Sequence, residues 1–188
     1  MTDSNGKGLD AQQLKPGAEV KKSERSRLKH AINQTPKVSN PHEVDDIVFQ
    51  IGLNDFQEGF NIEEIEGKYL EMQINYKKLF PNARQHVTAL PPLTKAHITM
   101  NKKLEKLAQN LESNFISTKA FLDHTTEKLR GNLMRNDNYH YNDVGIRHLA
   151  KEIKKSLFSN ANRNSQSLSQ LVEMRKNAPA VASTSQQH

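Results

Sequence analysis

Apolar and polar positions follow one another along the chain with two different periods. Asp46–Gly52 (DIVFQIG) is a near-continuous apolar run bounded by acidic residues and a glycine, which predicts a strand buried on both faces. His86–Leu90 (HVTAL), closed by Pro91-Pro92, and Asn114–Phe121 (NFISTKAF) predict two more strands, and Glu19–Lys22 a more polar one at an edge. Between these runs the period lengthens to three and four. Ile62, Ile65, Tyr69, Met72, Tyr76 and Leu79 fall on one helical stripe. Leu104, Leu107, Ala108 and Leu111 form a second, and Ile146, Leu149, Ala150, Ile153 and Leu157 a third. Asn142 is placed to cap the last helix, with Asp143 in its first turn. Strands alternating with such helices predict an α/β fold: a parallel sheet covered by helices on both faces. The stripes are core positions, and none is assigned a cofactor.

The pattern stops at Phe158. Ser159–His188 holds six Ser, four Asn and four Gln in 30 residues, too polar to offset the entropy of ordering it. Met1–Phe158 is therefore expected to be one domain and Ser159–His188 a disordered polar tail, in which only Gln166–Arg175 has the spacing for a short helix. The tail explains part of the low hydrophobic fraction, 35% of 188 residues. Formal net charge is +6, of which the tail carries +2 (Arg163, Arg175 and Lys176 against Glu173), leaving +4 on the body. Both signs are interspersed, so attraction to phosphate surfaces is weak. The absence of Cys excludes a disulfide framework, a thiol nucleophile and thiolate metal sites. No apolar run approaches the ~18 residues of a membrane span, and Met1–Gln13 has no signal-peptide pattern. An intracellular location is expected.

In open parallel sheets the reacting groups sit just past the carboxyl ends of the strands. Three segments fall there: Thr2-Asp3-Ser4-Asn5-Gly6-Lys7-Gly8, at the start of the chain; Gly52-Leu53-Asn54-Asp55, after the most apolar strand; and Asp137-Asn138-Tyr139-His140, before the last helix. Together they supply a nucleophile and its support. Ser4 can attack once His140 accepts its proton, and Asp137 can hold the far ring nitrogen of His140. The Asn54 side-chain amide and the Ser4 backbone N–H can then donate to the oxyanion. Each motif alone has a plain structural reading: a common dipeptide, an Asn/Asp/Gly turn, a cap followed by a surface histidine. Their joint order, each at the right end of its element, carries the chemical one.

In these residues the chain resembles the SGNH (GDSL-type) hydrolases, over roughly Met1–Phe158. Asp3-Ser4 looks like the first family block, Gly52-x-Asn54-Asp55 like the third, and Asp137-x-x-His140 with Asn142 and Gly145 like the fifth. The resemblance implies a flavodoxin-like three-layer α/β/α sandwich that hydrolyses small esters with no metal or organic cofactor. It implies Ser4, His140 and Asp137 as the triad, Ser4 and Asn54 as oxyanion donors, and Gly52 and Asp55 as the turn that shapes the site. Two positions depart from the family. Thr2 stands where a Gly usually precedes the Asp, and no Gly lies between Gly17 and Gly52 to serve as the second-block donor. The stretch Ser23–Ser26 falls about where that donor belongs. The chain is also similar in style to the esterase-type domains of LINE-type retrotransposon proteins.

In this fold the serine follows a strand in mid-sheet, and only three residues precede Ser4. About four to five buried aliphatic side chains would be absent, roughly 6–15 kcal/mol in all, comparable to the stability of a typical domain. The expectation is a sheet lacking its first strand, from a chain truncated at its start or begun at an internal methionine, with folding or activity impaired as it stands.

Other readings use other residues. Gly6-Lys7-Gly8 lacks the spacing of a phosphate loop, and the eight His show no metal-ligand pairing. Lys21, Lys22, Arg25, Arg27 and Lys29 form a basic run whose functional reading is nucleic-acid binding, without interleaved aromatics, and whose plain reading is a solvated face. A catalytically dead scaffold from a mobile-element protein is the remaining alternative. Tyr139, Tyr141, Phe56 and Pro91-Pro92 are expected to line a substrate pocket.

Overall fold

The computed structural model describes residues 1–2, 8–10, 14, 19, 22, 27–33, 38–126 and 128–159. Their order is helix α1 (Leu28–Asn33), strand β1 (Asp46–Phe49), α2 (Leu53–Gln57), α3 (Ile62–Leu79), β2 (Arg84–Thr88), α4 (Lys95–Asn110), β3 (Asn114–Ile116) and α5 (Asp143–Phe158). The expected helix Gln166–Arg175 lies outside the described residues. So does most of Glu19–Lys22, whose described ends, Glu19 and Lys22, are not in a strand.

The three strands form one parallel sheet in the order β1-β2-β3, with Ile47 opposite Gln85, Phe49 opposite Val87, and Val87 opposite Phe115. Alternation along each strand separates two cores. Ile47, Phe49 and Val87 face a cluster with Leu28 and Ala31 of α1, Ile65, Tyr69, Met72 and Tyr76 of α3, and Met100 and Leu104 of α4. Val48 and Ile116 face the other way, toward Leu149, Ile153 and Leu157 of α5 with Phe121, Leu133 and Tyr141. The result is the expected three-layer α/β fold, with helices on both faces of a parallel sheet.

The chain start also enters the sheet. Met1 and Thr2 run parallel to the edge of β1 that faces away from β2. The Met1 amino group donates to Val48 O at 2.6 Å, Gln50 N donates to Met1 O at 2.8 Å, and Thr2 bridges Gln50. In the sequence, Asp3-Ser4 comes directly after this pair.

The helices start where their caps dictate. Asn61 and Glu64 exchange side chain-to-backbone bonds of 2.8 and 2.9 Å, a capping box at the head of α3. Asn142 Oδ1 accepts from Val144 N at 2.9 Å and Gly145 N at 3.0 Å, opening α5 as expected. Two expected boundaries are corrected. The strand from Asn114 stops at Ile116, and Lys119–Phe121 is a 3-10 turn. That turn places Phe121 in the second core, edge-on to Tyr141 with ring centroids 5.5 Å apart, so packing overrides the strand propensity of the run. Leu79, expected on the buried stripe of α3, is 43% exposed, because the helix ends there.

A polar network closes the amino-terminal end of the sheet. Asp46 Oδ1 lies 2.8 Å from Arg84 Nε and 3.0 Å from His86 Nε2, while Ser156 Oγ of α5 lies 2.8 Å from His86 Nδ1. Arg84 also donates to Leu157 O at 2.9 Å. The network ties β1 and β2 to the end of α5. Asp46→Ala removes the carboxylate that the buried His86 and the less buried Arg84 share, and is expected to cost about 2 kcal/mol in urea denaturation. A change below ~0.5 kcal/mol would mean that packing alone joins these elements. Among the described residues no helix is long and apolar enough to cross a membrane.

Candidate active site

The apolar run of β1 ends at Ile51, and the chain must turn at once to begin α2. Gly52 does this at φ +112°, over the buried ring of Tyr69, whose hydroxyl donates to Ile51 O. A Cβ at Gly52 would lie 2.8 Å from that hydroxyl, so both the backbone angle and the space require glycine. The turn leads directly to Asn54, which is half-buried in the first turn of α2.

Asp55 points away from solvent. It is fully buried, accepts from Leu28 N at 3.1 Å, and has Lys68 Nζ 3.8 Å from its other oxygen. Burial raises its carboxyl above the usual range and depresses the Lys68 ammonium, which also lies over the Phe60 ring. The carboxylate fastens the start of α1 against the turn that carries Asn54. Asp55 thus acts in the scaffold beneath the turn.

The second arm lies between Met134 and Tyr141, which bridge antiparallel to each other. Within that loop Arg135 N donates to His140 O at 2.8 Å, and Asn138 takes φ +52°, a conformation Asn tolerates. Asp137 Oδ1 accepts from Tyr139 N at 2.8 Å and His140 N at 2.9 Å, and its Oδ2 lies 2.7 Å from His140 Nδ1. The backbone N–H of His140, then its ring, then the N–H of Tyr139 hold the Asp137 carboxyl well below the usual carboxylate range. Asp137 therefore stays ionised at any working pH. With Nδ1–H donating to it, His140 Nε2 is left as an acceptor. Both side chains are partly exposed, so the dyad can meet solute.

The two arms are joined. Tyr139 Oη donates to Leu53 O at 3.0 Å, which brings the Asp137–His140 loop to the turn bearing Asn54. Ser4, Asp3 and Ser23–Ser26 lie outside the described residues.

The expected pocket wall is revised in part. Tyr141 is 2% exposed within the second core, where it packs on Phe121, so it does not line a cleft. Pro91 and Pro92 are buried as well. Phe56 is half-buried and packs on His97, whose ring is pushed toward the neutral form by burial. Of the basic run, Lys22, Arg27 and Lys29 are among the described residues. Lys22 donates to Leu9 O at 3.3 Å, Arg27 pairs with Glu58, and Lys29 is exposed. The links Tyr139–Leu53, Tyr69–Ile51 and Leu28–Asp55 have no counterpart in the sequence pattern. Only the tyrosine in an otherwise polar loop was a signal.

No family model matches the chain, and no curated protein matches it in sequence. Solved structures match in fold. A protein of Streptococcus pneumonia, provisionally described as a platelet activating factor, is similar over 84% of this chain and 81% of its own, with TM-score 0.69 and 16% identity. A mutant acetyl esterase crystallised with acetate ion is similar over 88% of this chain and 79% of its own, with TM-score 0.52 and 16% identity. The chain thus shares its α/β architecture with an esterase at low identity.

Proposed function

We propose that this chain is a serine hydrolase of the SGNH type that cleaves small carboxylic esters. The observation that carries the reading is the Asp137–His140 pair at 2.7 Å, held by Tyr139 against the turn of Asn54. The acetyl esterase of similar fold points to short acyl groups. In this reading Ser4 attacks the ester carbonyl and passes its proton to His140 Nε2, while Asp137 stabilises the imidazolium that forms. The Asn54 amide and the Ser4 N–H donate to the oxyanion. His140 then returns the proton to the departing alkoxide, and water activated by the same ring releases the acid from Ser4. No step calls for a metal or organic cofactor.

Covalent labelling tests the nucleophile. A fluorophosphonate probe is expected to modify Ser4, identified by peptide mass spectrometry, and to leave Ser4→Ala unmodified. Label on another serine, or equal labelling of Ser4→Ala, would remove Ser4 from the mechanism.

A further inference from the structure

We propose that Tyr139 is a positioning residue that sets the separation between the general base and the oxyanion donor; this rests on the hydrolase reading above. The loop around Asp137 is exposed at Asn136, Asp137 and Asn138. The bonds from Asp137 to Tyr139 and His140 fix His140 relative to Asp137, but they are internal to the loop. They leave open where the pair stands relative to the oxyanion side. The Tyr139 hydroxyl supplies a bond that crosses that gap, 86 residues along the chain, at 3.0 Å.

Its two ends fall on the chain neighbours of the base and of the donor. The acceptor, Leu53 O, belongs to the same peptide group as the Asn54 N–H, at the first turn of α2. The donor is the residue bonded directly to His140. The Tyr139 ring also stands edge-on to the His140 ring, with centroids 5.1 Å apart and planes at 77°, which limits how far the imidazole can swing. Proton transfer and oxyanion stabilisation act on one tetrahedral centre, so a base and a donor that drift apart by about 1 Å cannot both serve it. A rigid phenol reaching across the loop meets that demand with only two side-chain torsions to freeze.

The rival account is that Tyr139 fills space and its hydroxyl is incidental. Phenylalanine separates the two, because Tyr139→Phe keeps the ring packing and the edge contact to His140 and removes only the hydroxyl. Steady-state hydrolysis of p-nitrophenyl acetate by the full chain is compared for the wild type, Ser4→Ala, Asn54→Ala, Tyr139→Phe and the double variant Asn54→Ala/Tyr139→Phe, with Tm measured for each. Tyr139→Phe is expected to lower kcat roughly tenfold, with KM within about twofold and Tm little changed. In the Asn54→Ala background the same substitution is expected to cost less than about twofold, because the donor it aligns is gone. Ser4-dependent hydrolysis with kcat unchanged in Tyr139→Phe overturns the proposal alone. So does an equal tenfold loss in both backgrounds, which would mark a structural effect unrelated to Asn54. Hydrolysis that does not depend on Ser4 overturns the hydrolase reading and this inference together.

Discussion

Replacing His140 with alanine is expected to lower kcat/KM for p-nitrophenyl acetate by roughly 10⁴–10⁶-fold, the range over which loss of a triad member leaves only binding and oxyanion contributions. Stability is expected to change little, because the imidazole is a third exposed and its partner Asp137 is more exposed still. Asp137→Asn separates charge from shape at the same site. The asparagine oxygen can still accept from Tyr139 N and His140 N, bonds of 2.8 and 2.9 Å in the native loop, so the turn is expected to persist. Its amide would, however, present a donor to His140 Nδ1. That favours the tautomer with the proton on Nε2, which cannot take the serine proton. A loss approaching that of His140→Ala is therefore expected despite an intact loop. Steady-state kinetics, with circular dichroism of each variant, measures all of this. Activity of His140→Ala within about tenfold of wild type would refute a histidine base.

What the sequence made legible was local. The stripes of α3, α4 and α5 could be read because helical contacts recur within four residues, and β1 because a strand covered on both faces is apolar throughout. The same holds at the site. Asp137 and His140 are three residues apart, and one loop suffices to bring carboxylate and imidazole to 2.7 Å. Asn142 announced its helix because capping is a neighbour effect. Errors came where long-range packing decided. Phe121 left the strand pattern to meet Tyr141, and Tyr141 went into the core rather than to a pocket wall. The bonds that assemble the site span 86 residues from Tyr139 to Leu53 and 27 from Leu28 to Asp55. Such pairs depend on which strand ends lie side by side, and a single chain does not display that register. The Asp46–His86–Ser156 chain, spread over β1, β2 and α5, was hidden for the same reason.

Gly145→Ala is expected to destabilise the protein by about 3 kcal/mol, although alanine is the better helix former by ~1 kcal/mol. Gly145 lies in the first turn of α5, where a Cβ would clash with Leu133 O and stand 2.9 Å from Tyr141 Cδ1. Neither neighbour can withdraw cheaply. Leu133 O accepts from Asn142 N at 3.0 Å, and Asn142 Nδ2 grips Asn132 O and Met134 O on either side, each at 2.9 Å. Tyr141 is buried against Phe121. To admit one methyl group, either the helix start must part from the Gly131–Leu133 turn or the cap must break. Both deform the ends of the loop that holds Asp137 and His140, because Met134 and Tyr141 bridge at its base. Activity is therefore expected to fall along with stability. Gly67→Ala gives the opposite sign in the same assay. That glycine lies within α3, and a methyl group added to it would meet nothing inside 4 Å, so alanine is expected to stabilise by about 0.5–1 kcal/mol. Urea denaturation of both variants decides the matter. If Gly145→Ala were neutral or stabilising, the close approach of α5 to Leu133 would not exist in solution, and the glycine after Asn142 would be no part of what positions the base.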